Sequence, residues 1–374
     1  MQLNHCYHRS SITMTAYPAP VRTRPASTPD RDGPTQPLIA GYPMKPFTLA
    51  IAGHLALGLA LPVAALAWGR QGHETIGNIA AALIQGTNAE KQVQNLLKAD
   101  ETLATAAEWP DCAKGFMYCQ REPTEEMKEF ATNNPHHHAY HYADLPFQLS
   151  AYQRASIGAS SDDVVSILGD AVLTLQGKPA VDPSHKLTKR EALFVIAHMT
   201  GDIHQPLHVG APYVSGSDRF VVPANDKEAK AEFTQGGNLL CHGSKNVHSY
   251  WDDDLVAQAM RAAKVKTSAD FSQALVPQAQ KLKADAGPVD AWPTAWATES
   301  LHLASAEIAP LVVTAKRPSG PDRSPCQPSA ANAKTEVWDV QLPPNYAAQG
   351  AATAADQLTK AGARLAYVLK AIWP

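Results

Sequence analysis

The residues best suited to chemistry gather in the stretch 191–208, EALFVIAHMTGDIHQPLH. Leu193, Phe194, Ile196, Ala197 and Met199 give it the apolar character of a core helix. His198 and Asp202 are four residues apart, so on a helix their side chains lie one above the other on a single face. Pro206 ends that helix and pushes the residue before it out of the helical region, so His208 projects from a turn. An imidazole and a carboxylate stacked on one face, with a second imidazole just past the break, form a metal-ligand arrangement. The alternative is a buried His–Asp hydrogen bond beside an unrelated surface histidine. A second pair with the same spacing, His248 and Asp252, stands in NVHSYWDDDL. Alone it reads equally as a histidine near a helix start among acidic residues favoured by the helix dipole. Two such pairs plus His208 in one chain point to a multinuclear metal site.

Other candidates are more ambiguous. His136, His137 and His138 are adjacent and read as a solvated loop, because neighbouring side chains point in different directions. His141 differs, lying in an alternating Tyr-His-Tyr-Ala-Asp segment beside aromatics. Asp111 follows Pro110, which predicts irregular backbone and, taken alone, a turn residue; Lys114 comes three residues later. Trp68 and His73 acquire meaning only if the chain is cut before Trp68. A free α-amino group has a pKa near ~8, and with its own carbonyl oxygen it can chelate a metal in a five-membered ring, with His73 as the next ligand. No P-loop, nucleophile elbow or dinucleotide-binding fingerprint is present.

The elements that must position these groups are mainly helical. Apolar periodicity predicts helices over 74–83, 88–99, 102–108, 125–131, 163–176, 268–284, 292–308 and 353–372, besides the central one. Thr188 with Glu191 three residues later forms a capping box for the central helix. The polar insertion 210–235 holds a short helix around 226–233, and Gly236-Gly237-Asn238 marks a turn. Strand-like runs are few, at 220–222 and 336–342. The fold class is therefore mainly α, a compact multi-helix bundle with few short strands.

Composition frames the organisation. Residues 1–43 are rich in Pro, Thr, Ser and Arg without apolar period and read as a disordered or mis-annotated extension. Residues 44–67, MKPFTLAIAGHLALGLALPVAALA, carry a lysine, an apolar run and a small-residue Ala-Leu-Ala end, the pattern of a cleaved secretory signal peptide; a membrane anchor or buried helix is the alternative. Met44 is then a candidate start, and residues 68–374 a single catalytic domain without stable membrane insertion. The full chain has net charge −3, with 45% hydrophobic and 18% charged residues. Losing residues 1–67 removes five basic and two acidic groups and leaves −6. No broad basic surface is implied, so a polyanionic substrate needs local cations or metals. Cys112, Cys119, Cys241 and Cys326 remain after cleavage, an even set that suggests two disulfides in an exported, secreted or periplasmic protein. A short loop favours Cys112–Cys119 and leaves Cys241–Cys326, though three pairings are open to the sequence.

Together the motifs W-G-x-x-G-H73, W-x-D111, H141-Y-x-D144, H198-x-x-G-D202-x-x-Q-P-L-H208, G-G-N and H248-S-x-W-D252 resemble the zinc-dependent nuclease I family, the single-strand-specific group of the mung bean nuclease type. The resemblance covers essentially residues 68–374, including QLTKAGARLAYVL near the end. It implies three zinc ions in a helical phospholipase C/nuclease-like fold. One would be held by Asp111, His141, His198 and Asp202, a second by His208, His248 and Asp252. The third would be held by the amino and carbonyl groups of Trp68 with His73 and Asp202, so that Asp202 bridges two ions. It implies Tyr142 stacking a base, Asp144 hydrogen-bonding one, and Asp111 and Lys114 as catalytic residues, Lys114 stabilising transition-state charge. The implied activity is hydrolysis of RNA and single-stranded DNA to 5′-phosphates, with 3′-nucleotidase activity, by a monomer. Imidazole and carboxylate ligands suit a catalytic zinc site with an open position, and zinc lowers the pKa of water from about 15.7 to near ~7. The departures are Tyr142 for the commoner Phe, the 210–235 insertion and a different cysteine pattern.

Two other readings compete. A zinc-dependent phospholipase C shares the opening tryptophan and the His-x-x-x-Asp core, but that family usually has Glu where this chain has Asp252 and lacks the H-Y-x-D pattern. A non-enzymatic exported metal-binding protein would show no phosphodiester turnover with zinc and no loss of function on His208→Ala.

Overall fold

The computed structural model describes residues 68–321, 324–328 and 335–374. The two leading segments, 1–43 and 44–67, lie outside the described residues. Among the described residues thirteen α-helices follow one another: α1 (Arg70–Ile84), α2 (Asn88–Leu96), α3 (Leu103–Ala113), α4 (Phe116–Cys119), α5 (Glu125–Asn133), α6 (Val164–Leu175), α7 (Lys189–Asp202), α8 (Asp226–Glu232), α9 (Val247–Ser249), α10 (Val256–Ala262), α11 (Ser268–Ala279), α12 (Trp292–Ile308) and α13 (Tyr346–Ile372). The protein is mainly α, as its apolar periodicity predicts. Among the described residues no helix is long and apolar enough to cross a membrane.

Helix α7 is the hub. Every residue from Glu191 to Asp202 is buried, because α1, α3, α6 and α13 surround it. The predicted capping box is present: Thr188 Oγ1 accepts from the Glu191 N–H at 3.2 Å, and Glu191 Oε2 accepts from the Thr188 N–H at 2.7 Å. A helix buried all round can carry polar side chains only if each is satisfied, which makes His198 and Asp202 conspicuous. The helix stops at Asp202, and Pro206 then opens a 3₁₀ turn, Pro206–His208, at the position where a missing N–H costs nothing.

Two small sheets fix the connections. Strands β1 (Leu145–Pro146) and β2 (Gly210–Ala211) pair in parallel. This pairing brings the segments after His141 and His208 side by side: the Ala143 N–H donates to the His208 carbonyl at 2.7 Å. The second sheet has the order β4-β3-β6-β5, from β3 (Leu240–His242), β4 (Lys245–Asn246), β5 (Val312–Pro318) and β6 (Glu336–Gln341). Disulfides join Cys112 to Cys119 and Cys241 to Cys326.

The structure corrects several local expectations. Asp111 is not in irregular backbone: α3 runs through Pro110 to Ala113, losing one ladder bond to the proline but held by burial against α1 and α7. The run 220–222 is not a strand. Phe220 makes a single bridge to Val214, and Pro223 supplies no N–H to extend it. Strand β5 was not expected, since its alternation is mostly solvent-facing. Helix α13 starts at Tyr346, not Thr353, because its first turns bury Gly350, Ala351 and Ala354, small residues that leave no large apolar stripe. Helix α11 ends at Ala279, and the chain turns through Lys281 and Leu282. His248 and Asp252 do not share one regular α-helix, because a π-helical turn, Tyr250–Leu255, follows α9. Such turns are frequent at functional sites.

Candidate metal centre

Seven elements deliver the candidate ligands to one place. Helix α1 brings His73, α3 brings Asp111, α7 brings His198 and Asp202, and the π-helical turn brings Asp252. His141, His208 and His248 come from short helical turns joined by the parallel β1–β2 pairing and by the β3–β4 hairpin that precedes α9. Asp202 sits at the middle. Its Oδ2 lies 2.9 Å from His141 Nδ1, 3.1 Å from His198 Nε2 and 4.0 Å from His208 Nδ1, while Oδ1 lies 3.2 Å from His73 Nε2. His248 Nε2 is 3.5 Å from Asp252 Oδ2 and 3.1 Å from His208 Nε2. All of these side chains are buried. Three sets of donors converge closely enough to hold an ion each: His73, His198 and Asp202; Asp111, His141 and His198; and His208, His248 and Asp252. Trp68 is buried beside them, its indole N–H donating to the Gly201 carbonyl at 2.9 Å.

The backbone orients several rings. His198 Nδ1 donates to the Ala107 carbonyl at 2.5 Å, His208 Nδ1 to the His141 carbonyl at 2.6 Å and His248 Nδ1 to the Gly236 carbonyl at 2.8 Å. A histidine whose one nitrogen donates outward presents the lone pair of the other inward, as metal ligation requires. Two glycines are needed for this packing. A Cβ on Gly201 would meet the His73 ring at 3.0 Å, and Gly236 holds a left-handed φ of +59° with its carbonyl on His248.

The electrostatics suit a donor set for cations. Burial, then the Lys114 charge, holds His141 down at about 3; burial, then His208, holds His248 at about 3. Both are neutral near pH 7. Burial opposes ionisation of Asp202, but His198 and His208 outweigh it and keep the carboxyl well below its usual range. Asp111 is likewise held low against its burial, chiefly by Lys114, whose Nζ lies 2.6 Å from Oδ1. Asp252 moves up, through burial and then the Asp253 charge. Both His73 ring nitrogens, Asp202 Oδ1 and Asp252 Oδ2 are buried without a hydrogen bond among the described residues. Leaving buried polar atoms unpaired costs about 1–3 kcal/mol each, and facing imidazole lone pairs only 3.1 Å apart repel. Bound divalent cations would satisfy the carboxylate oxygens and one nitrogen of His73, so the residues present fit the metals that the sequence implies.

A cavity of about 390 Å³ opens on the cluster at His141, His208 and His248, and Tyr142, Asp144 and Lys114 line it too. Tyr142 is 39% exposed, its ring available for stacking. Burial lifts the Asp144 carboxyl to about 7. The chain from 68 to 374 matches the profile of the S1/P1 nuclease family over its whole span. The chain belongs to the S1/P1 nuclease family. Among its curated relatives, Endonuclease 2 of Arabidopsis thaliana is 28% identical over 51% of this chain and 57% of that protein, and Endonuclease 4 of the same plant is 25% identical over 64% and 75%. Nuclease S1 of Aspergillus oryzae is 30% identical over 41% and 48%. The aligned stretches thus span about half to three quarters of these relatives.

Within this S1/P1 framework the structure adds residues that sequence reasoning passed over. The histidine run is no solvated loop. His137 is buried, donating Nδ1–H to the Asn134 carbonyl at 2.9 Å, and His138 lines the Tyr142 cavity; only His136 remains a plain surface residue. Tyr118, held near Lys114 by the Cys112–Cys119 bridge, lines the same cavity, with the Lys114 ammonium 4.7 Å from its ring centre. Gln205 is fully buried and donates to Asp252 Oδ1 at 2.8 Å. The motif Q-P-L-H contained it, but nothing in its spacing marked it as a partner of a residue 47 positions away.

Proposed function

We propose that this protein is an exported, zinc-dependent phosphodiesterase that cleaves RNA and single-stranded DNA to 5′-phosphates and also removes 3′-phosphates from nucleotides. The observation that carries this reading is the cavity in which buried imidazoles, Tyr142, Asp144 and Lys114 meet. Zinc held by the ligand sets would supply positive charge for the phosphoryl oxygens and a nucleophile at neutral pH. Asp202, shared between donor sets, would fix their spacing, with Asp111, His141 and His198 on one side and His208, His248 and Asp252 on another. Trp68, with a free amino group, and His73 would complete a third set.

The chain's own groups do the rest. Lys114, half-buried beside Asp111, places a fixed positive charge where charge develops on the phosphate. Tyr142 offers a ring that any base can stack on, and a base is free to stack only when unpaired, which favours single strands. Asp144 hydrogen-bonds the stacked base. A protein of net charge −3 handles a polyanion because the cations are local. Two disulfides suit an oxidising compartment, in line with export to the periplasm or medium, and a monomer of one catalytic unit over 68–374 suffices for the chemistry.

The test is to load the protein starting at Trp68 with zinc and assay it on single-stranded DNA, RNA, 3′-mononucleotides and phosphatidylcholine. Cleavage of the nucleic acids supports the reading. Turnover of the lipid alone overturns it in favour of a phospholipase C.

A further inference from the structure

A nucleotide stacked on Tyr142 would fill one cavity that reaches the ligand cluster, and another reaches it among the described residues. A second, of about 330 Å³, meets the cluster at His73 and Asp111 instead, and Tyr118 forms part of the wall of both. Its volume is at the lower end for small-ligand sites. Glu108 lines it and is only 9% exposed; burial and the neighbouring Glu74 carboxyl lift it to about 7, and no N–H or O–H of another described residue donates to its Oε1. Its other oxygen lies 3.4 Å from Arg70 Nε. Arg70 and Arg121 are exposed members of the same lining, and Asp253 lies there too.

An unpaired buried acceptor is costly and asks for an N–H donor. The acidic end formed by Glu108 and Asp253 repels a phosphate, whereas the two guanidiniums attract one. Tyr118 adds an aromatic wall. An acceptor, a ring and peripheral cations together match a nucleotide whose base enters and whose phosphate stays outside. We propose that this cavity holds the nucleotide across the scissile phosphate from the one on Tyr142, and that Glu108 Oε1 accepts an N–H from its base. This rests on the nuclease reading above. Adenine, cytosine and guanine present an exocyclic amine, the group a carboxyl oxygen reads. Uracil and thymine offer a single N–H flanked by carbonyl oxygens that repel it. Glu108 is thus a specificity-determining residue for one of the two positions flanking the cut.

The experiment uses the zinc-loaded protein on four dinucleoside monophosphates, ApC, ApU, CpA and UpA, measuring kcat and KM for each. The expected result is a preference for cytosine over uracil at one position only, carried mainly by KM and amounting to about threefold to tenfold, the worth of one hydrogen bond. Glu108→Gln can turn either its oxygen or its NH₂ toward the base, so it levels that preference; thermal melting verifies its fold. Arg121→Ala, at an exposed site, raises KM for all four substrates and keeps the preference. If Glu108→Gln cleaves all four with the wild-type ratio at both positions, the inference is overturned and the nuclease reading stands. If the wild type cleaves none, both fall.

Discussion

Gln205 offers a sharp test of the proposed metal centre, because one buried amide holds two of the candidate ligand elements. Its Nε2 donates to Asp252 Oδ1 at 2.8 Å, and its Oε1 accepts from the Leu207 N–H at 2.6 Å, in the turn that carries His208. Gln205→Met keeps the length of the side chain and removes both bonds. Losing one net bond and stranding the buried Leu207 N–H costs about 2–4 kcal/mol of folding stability. Loosening partners that orient metal ligands costs typically about 10–100-fold in metal affinity, or roughly 1.4–2.8 kcal/mol. The His208–His248–Asp252 set should therefore lose its zinc first, while the set around Asp111 and His198 keeps its own. Zinc content after dialysis and a chelator-competition titration read this directly, and thermal unfolding with and without zinc separates affinity from fold. Gln205→Glu is the companion variant: it still accepts from Leu207 but sets a second carboxyl against Asp252, so it should fold better than the methionine variant and still bind zinc poorly. A methionine variant with the wild-type zinc titration would refute the idea that Asp252 depends on Gln205 for its orientation.

Other perturbations address other parts of the site. Tyr142→Ala should raise KM for oligonucleotides by about 5–150-fold, the 1–3 kcal/mol of a lost base stack, while Tyr142→Phe stays near wild type in steady-state assays. Lys114→Met should lower kcat by about 10²–10³-fold with zinc content retained, checked by steady-state kinetics beside metal analysis. Glu299 gives a pH prediction away from the metals. Burial opposes its ionisation, but Lys360 and Arg364 hold it down at about 2, against an ordinary 4.5. The stability this brings is full above about pH 4.5 and is lost as pH falls toward 2. Its side chain is 38% exposed, so solvent screening leaves about 1 kcal/mol. Denaturant titrations from pH 6 to 3 should show that difference between wild type and Glu299→Gln shrinking as the acid is approached.

How much of this was legible in the sequence depends on what set each feature. The α7 helix, its capping box and its stop before Pro206 are local consequences of residue type and were readable. So was the pairing of His198 with Asp202, a matter of spacing alone. The convergence of His73, Asp111 and His141 on Asp202 was not, because the helix crossings and the β1–β2 pairing that achieve it are long-range; only the family resemblance placed those residues together. The same limit hid Gln205, Glu108 and Tyr118, whose meaning lies in partners far along the chain. The errors at α3, α13 and β5 have another source. Pro110 and the Ala–Gly start of α13 obey local rules that tertiary burial overrides, and a solvent-facing edge strand carries little apolar signal.

The burial of the ligand cluster is itself an argument about how it must operate. Asp111, Asp202 and Asp252 are buried within a helical core, and Lys114 is the only lysine or arginine paired with any of them among the described residues. Of the histidines, His141 and His248 cannot help by protonation, since burial holds both at about 3, and His198, shifted up beside Asp202 and Asp111, is a single counter-charge for the group. Carboxylates without counter-charge in such a place are expensive, and proteins keep them only where they are paired or coordinate metals. The cost falls largely on α7, whose two ligands are fully buried. Cations held there as proposed would therefore do more than serve hydrolysis: they would stabilise the fold in proportion to RT ln(1 + [M]/Kd), about 2.7 kcal/mol at a hundredfold excess over Kd. Stability and activity should then fall together on titration with a chelator, because the same ions serve both.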